Sequence, residues 1–137
     1  MATKVRKVGY FYFEVDDKAG AGARVLGKLK DAGVNLLSFV AFPTGTDRAQ
    51  VTVVPENADT FAAAAKSAGL TPSSRKECFL VQGDDRVGAA YEVLKRLAEA
   101  KISFTAGGAS SSGSGSFGMT LFVKPSDVAA AAKALNA

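Results

Sequence analysis

The sequence predicts an α+β chain made of two copies of one βαββαβ unit, and three observations carry that reading. Residues 17–35 (DKAGAGARVLGKLKDAGVN) recur 68 residues later, at 85–103, as DRVGAAYEVLKRLAEAKIS. Asp17/Asp85, Gly20/Gly88, Ala21/Ala89, Val25/Val93, Leu26/Leu94, Leu29/Leu97 and Ala32/Ala100 are identical in that register. Around each copy, runs of β-branched and aromatic residues alternate with helical apolar spacing in the same order: strand, helix, strand, strand, helix.

Residues 5–15 (VRKVGYFYFEV) form the first strand, broken only by Gly9. Tyr10 and Tyr12 fall on one face and Phe11, Phe13 and Val15 on the other, so neither face reads as fully solvated. Asp16 and Asp17 end the strand, and either can cap a helix over 19–32 that carries Val25, Leu26, Leu29 and Ala32 and stops at Gly33. Residues 34–42 and 49–54 make a hairpin around a Pro/Gly turn. Asn57 or Asp59 caps a second helix over 59–68, with Phe61, Ala65 and Ala68 on its stripe and Gly69 after it.

The second copy repeats this order. Strands are expected at 75–83, 102–109 and 117–123, and helices at 87–100 and 127–135, with 107–116 (GGASSSGSGS) as a flexible hairpin connection. The order matches the split βαβ, ferredoxin-like unit, with antiparallel sheets and helices on one face. The boundary falls between units 1–72 and 73–137. Each unit needs a fourth strand, and one long strand can serve two sheets: residues 73–78 are expected to complete the first unit and 4–8 the second.

Composition bounds the function. A 47% hydrophobic, 22% charged chain of 137 residues is that of a soluble globular protein. The net charge of +4 comes without a basic run, which argues against nucleic acid as the partner; its stacking platform could come only from Tyr10, Phe11 or Tyr12. There is no histidine, and Cys78, the single cysteine, lies in an apolar strand as a core residue. No metal site, cofactor or catalytic constellation is therefore expected. No apolar run reaches membrane-spanning length, so a cytoplasmic protein is expected.

Other patterns favour structural roles. Asp16/Asp17 and Asp84/Asp85 read as strand ends and caps before acid/base pairs. Gly20-Ala21-Gly22 lacks the third glycine of a dinucleotide fingerprint, since Val25 holds its place. Gly22 and Gly27 are expected to let the helix approach a neighbouring element closely, Ala90 and Lys95 standing there in the second copy.

The strand ending in D-x-x-G (Asp17 to Gly20, Asp85 to Gly88), the V-L-x-x-L helix core and the exit Gly33-Val34-Asn35 resemble the ACT domain, a βαββαβ regulatory module. The resemblance covers the whole chain as a tandem pair. It implies a non-enzymatic regulatory protein that binds an amino acid or similar small metabolite at an interface between modules. The residues so implied are Asp16, Asp17, Lys18, Ala19 and Gly20 with a partner module's Asn35, Leu36 and Leu37. In the second copy they are Asp84, Asp85, Arg86, Val87 and Gly88 with Ser103, Phe104 and Thr105. Backbone N–H groups at such a helix mouth suit a carboxylate, and Asp or Asn oxygens suit an ammonium. Where the family often has D-x-P-G, Ala19 and Val87 stand here; Lys101 and Ser103 replace Gly33 and Asn35. Tyr10, Tyr12, Phe39 and Phe42 give the sheet two apolar faces that need a cover, which points to a homodimer. The alternative is a ligand-free regulatory or structural subunit that docks on an enzyme.

Overall fold

The computed structural model describes residues 3–137. It contains β1 (Lys4–Asp16), α1 (Ala21–Asp31), β2 (Leu36–Gly45), β3 (Arg48–Pro55), α2 (Ala58–Ser67), β4 (Lys76–Asp84), α3 (Ala89–Glu99), β5 (Phe104–Ser111), β6 (Ser116–Val123) and α4 (Val128–Leu135). The two repeats thus have the same α+β order. They form two compact units: Gly9–Lys76, and residues 3–8 together with Glu77–Ala137.

In the Gly9–Lys76 unit the strand order is β2-β3-β1, antiparallel throughout. Phe11 and Phe13 of β1 and Val51 and Val53 of β3 point to one face, where Val25 and Leu29 of α1 and Phe61 and Ala65 of α2 cover them. Phe61 stacks on Phe11 at 4.5 Å between ring centroids and meets Phe13 edge-on at 6.1 Å. Phe11 is therefore a core residue, closed to any base-stacking role. After α2, Ser73 donates its N–H to the Tyr12 carbonyl (2.8 Å), and its hydroxyl accepts from the Tyr12 N–H (2.9 Å). This connection runs alongside β1, and regular strand begins again only at Lys76.

In the other unit the order is the start of β1, then β4, β6 and β5. Its core joins Val5, Phe79, Val81, Phe117, Met119 and Leu121 to Val93 and Leu97 of α3 and Ala131 and Leu135 of α4. Helices again cover one face. Cys78 is fully buried, and loss of water around the thiol pushes its pKa up to about 12, so it is inert packing. The opposite faces are buried too, at Thr52 and Val54 in one unit and at Leu80, Thr120 and Phe122 in the other.

Three expectations need correction. The Gly/Ser stretch is mostly strand: β5 runs to Ser111 and β6 starts at Ser116, so only 112–115 turn, with Gly113 and Gly115 supplying positive φ. Neither Asp16 nor Asp17 caps α1. Gly20 does, in the left-handed conformation (φ 89°), without a side-chain hydrogen bond. Finally, a Cβ at Gly22 or Gly27 would meet nothing within 4 Å among the described residues, so these glycines serve no close approach there. By contrast, Asn57 caps α2 as expected, its side chain accepting from Asp59 and Thr60 N–H.

Among the described residues no helix is long and apolar enough to cross a membrane. Helix α1 ends in a paired exit: Gly33 N–H donates to Lys30 and Val34 N–H to Leu29, with Gly33 at φ 76°. Helix α3 makes the same two bonds from Lys101 and Ile102, but there Lys101 holds the left-handed position at φ 60°. A side chain in that conformation costs about 1 kcal/mol that glycine does not. Lys101→Gly is therefore expected to raise stability by about 0.5–1 kcal/mol in urea denaturation; a loss of stability would contradict the strain.

Candidate functional site

Residues 16–20 leave β1 at the end of the sheet where the β2–β3 hairpin turns. Asp16 is paired in register with Arg48, and its Oδ1 accepts from Arg48 Nη1 at 2.8 Å, with Lys18 Nζ 3.8 Å from Oδ2. Asp17 donates its N–H to the Asp47 carbonyl (2.9 Å), and Lys18 donates to the Asp16 carbonyl (3.0 Å). These bonds fix the loop's course. Ala21 and Arg24 N–H groups are used within the turn and helix, by the Lys18 and Gly20 carbonyls. No acidic side chain stands in the first turn of α1. At this mouth Lys18 is answered by Asp16, and Arg24 stands at the fourth position of α1.

The second loop repeats the scaffold and reverses the charge. Asp85 N–H donates to the Gly115 carbonyl (3.0 Å), and Gly88 caps α3 at φ 81°. Here Ser111 Oγ donates to Asp85 Oδ2 (2.8 Å). Glu92 occupies the position of Arg24, and Arg86 grips it with two hydrogen bonds, Nη1 to Oε1 (3.1 Å) and Nη2 to Oε2. Those bonds hold the Glu92 carboxyl below its ordinary value and raise Arg86. Where the first mouth has Arg24, the second has a carboxylate held by Arg86. Val87, beside it, is fully exposed.

The remaining predicted residues lie elsewhere in their units. Leu36 is paired with Pro55, whereas Asp16 is paired with Arg48 at the other end of β3. Those ends are roughly 23 Å apart at about 3.3 Å per residue. Asn35 is joined to Glu56 by Nδ2 to Oε2 (2.8 Å) and by Glu56 N–H to its carbonyl (2.9 Å). In the second copy Phe104 is paired with Val123 while Asp84 is paired with Ser116, so Ser103 and Thr105 are likewise far from Asp85–Gly88. The structure brings together Asp16, Asp17, Lys18, Ala19 and Gly20, and separately Asp84, Asp85, Arg86, Val87 and Gly88. It does not bring 35–37 or 103–105 to the loop of the same unit. Leu37, Phe39 and Phe42 on β2 are exposed.

Arg24, Arg48, Asp47 and Glu92 were not singled out from the sequence. The repeat register could have found one pair, since it sets Arg24 against Glu92; the hairpin contacts needed the strand pairing. Among the described residues no cluster of His, Cys, Asp or Glu could hold a metal ion.

Residues 56–137 match the family described as GHMP kinases C terminal, which is more than half of the chain. The chain belongs to that family. The matched part runs from the start of α2 through the whole second repeat. The search of curated proteins found no match. Among solved structures, protein BT0572 from Bacteroides thetaiotaomicron superposes with a TM-score of 0.78 at 14% identity, over 96% of this chain and 88% of that one. The ligand-free regulatory subunit of aspartate kinase from Thermus thermophilus gives 0.65 at 12%, over 98% and 94%. A putative C-terminal regulatory domain of aspartate kinase from Porphyromonas gingivalis gives 0.55 at 13%, over 98% and 95%. The fold is the tandem ACT arrangement of these regulatory subunits, here covering nearly the whole chain.

Because Glu92 has its folded pKa lowered by Arg86, the pair stabilises above the ordinary carboxyl value of 4.5 and is lost as pH falls through the folded value. In an NMR titration the Glu92 carboxyl should titrate below 4.5 and return toward it in Arg86→Ala. An unchanged midpoint in that variant would show that the second mouth is not closed this way.

Proposed function

We propose that this protein is a non-catalytic regulatory module that binds an amino acid or similar small metabolite. The ligand's carboxylate lies at residues 16–20, over the start of α1, and its ammonium meets Asp16 or Asp17. A second copy completes the site with Asn35, Leu36 and Leu37. The observation that supports this reading is that residues 16–20 and 35–37, the two segments proposed to hold the ligand, lie at opposite ends of one unit. In this reading segments from different modules meet around one small molecule, and a second copy of the chain supplies the other segment. Exposed Phe39 and Phe42 give β2 apolar surface for that contact. Likeness to the aspartate kinase regulatory subunits supports the regulatory role.

The second loop, with Asp85, Arg86, Val87, Gly88 and Ser103, is the weaker site, since Glu92 already answers Arg86. Ligand binding acts by favouring one packing of modules over another. The cytoplasm suits a chain whose single thiol is buried and unpaired.

A second reading has its own support. The matched family is a kinase C-terminal region, and two of the three similar structures above are regulatory parts of aspartate kinase. A subunit that docks on such an enzyme without a small ligand would use the same exposed β2 surface.

A thermal-shift screen of the twenty amino acids at millimolar concentration separates the two. A ligand present at a hundred times its Kd adds about 2.7 kcal/mol, a rise of several degrees in Tm. At least one amino acid is expected to give it. No stabilisation by any of them would leave the docking subunit as the reading.

A further inference from the structure

A cleft of about 440 Å³ opens in the Gly9–Lys76 unit between α2 and the connection at residues 72–75. Its floor is apolar, formed by Ala58 and Ala62 above the buried Phe11, and its rim is charged, formed by Asp59, Lys66 and Arg75. Ala58, Ala62 and Lys66 follow one another at four-residue spacing along one stripe of the helix. The Arg75 guanidinium donates to Asp59 Oδ1 at 2.7 Å, and its stem lies over Gly9, where a Cβ would come within 2.8 Å of Nε. Lys66 has no acidic partner among the described residues.

The other repeat shows what ordinarily fills this space. Sixty-eight residues before Ser73 stands Val5, which is buried in its unit's core. When the buried pairs Phe61/Ala131 and Ala65/Leu135 align α2 with α4, Ala58 falls opposite Val128, which also packs on that core. Two valines thus seal one unit where a serine and an alanine stand in the other. Ser73 engages the Tyr12 backbone, and Ala58 stops at Cβ, so the half-buried Ala58 and Ala62 stay open beside an unpaired ammonium, with Phe11 buried beneath them. Close-packed interiors do not leave such room, whereas small-molecule sites combine an apolar floor with a few polar groups in this way.

We propose that this cleft binds a small carboxylate with an apolar body. The carboxylate pairs with the Lys66 ammonium, and the body rests on Ala58 and Ala62. Two sources share that chemistry: a free branched carboxylic acid, and an amino acid whose ammonium would add a contact to the Asp59 carboxylate.

The test is a titration of the ¹⁵N-labelled full chain with isocaproate and, separately, with leucine. Amide shifts are expected at residues 58–66 and 73–75, saturating at millimolar concentration. Stronger binding of leucine assigns the site to amino acids, and stronger binding of isocaproate assigns it to free acids. Lys66→Ala, on the exposed rim, should weaken binding about tenfold. Ala62→Leu should fill the cleft and abolish the shifts while keeping Tm at or above that of the parent. The proposal is overturned if neither compound shifts these amides, or if the shifts survive Ala62→Leu unchanged. Shifts confined to residues 16–20 would also overturn it, and would leave the loop site proposed above intact.

Discussion

Strand β1 places Val5 in one hydrophobic core and Phe11 and Phe13 in the other. Each of these side chains is buried against the helices of a different unit, so one continuous backbone anchors both. An isolated two-stranded or half-covered sheet is marginal in water. A βαββα repeat gains its remaining strand either from its own chain or from a neighbour, and here the opening residues of β1 lie beside β4 in the unit that ends the chain. Gly9 sits where the strand passes from one unit to the other, pressed by Arg75 and Ala58 so closely that a Cβ would meet both within 3 Å.

That anchoring positions the candidate loops. With Phe11 and Phe13 locked on Phe61, the end of β1 delivers Asp16 to Arg48 and Asp17 to Asp47. The second repeat uses the same backbone bond, from Asp85 to Gly115, and the same left-handed glycine before its helix. Duplication preserved the backbone scaffold and changed the charges on it. Lys18 pairs with Asp16 at one mouth, whereas Arg86 and Glu92 satisfy each other at the other. The sequence departures at Lys101 and Ser103 belong to the same divergence.

Much of the fold was legible because the repeat samples each element twice. Val25/Val93 and Leu29/Leu97 mark the covered helix faces, and both pairs are buried. The candidate loops were legible from Gly20 and Gly88, whose place between strand and helix demands positive φ. What was not legible depends on partners far along the chain. Asp16 looked like a helix cap because nothing local reveals that Arg48 claims its carboxylate 32 residues away. The Gly/Ser stretch looked like a loop because its composition is poor in strand formers, yet pairing with β6 and packing of Gly107 against Leu121 hold it extended. The separation of 35–37 from 16–20 follows from strand direction, which single residues do not encode.

Two separately cored units are joined through β1. Val5→Ala tests this most directly, at a cost of about 2 kcal/mol, read by amide hydrogen exchange residue by residue. Protection is predicted to fall at Val93 and Leu97 and to hold at Val25 and Leu29. Equal loss at all four, or none at Val93 and Leu97, would contradict it.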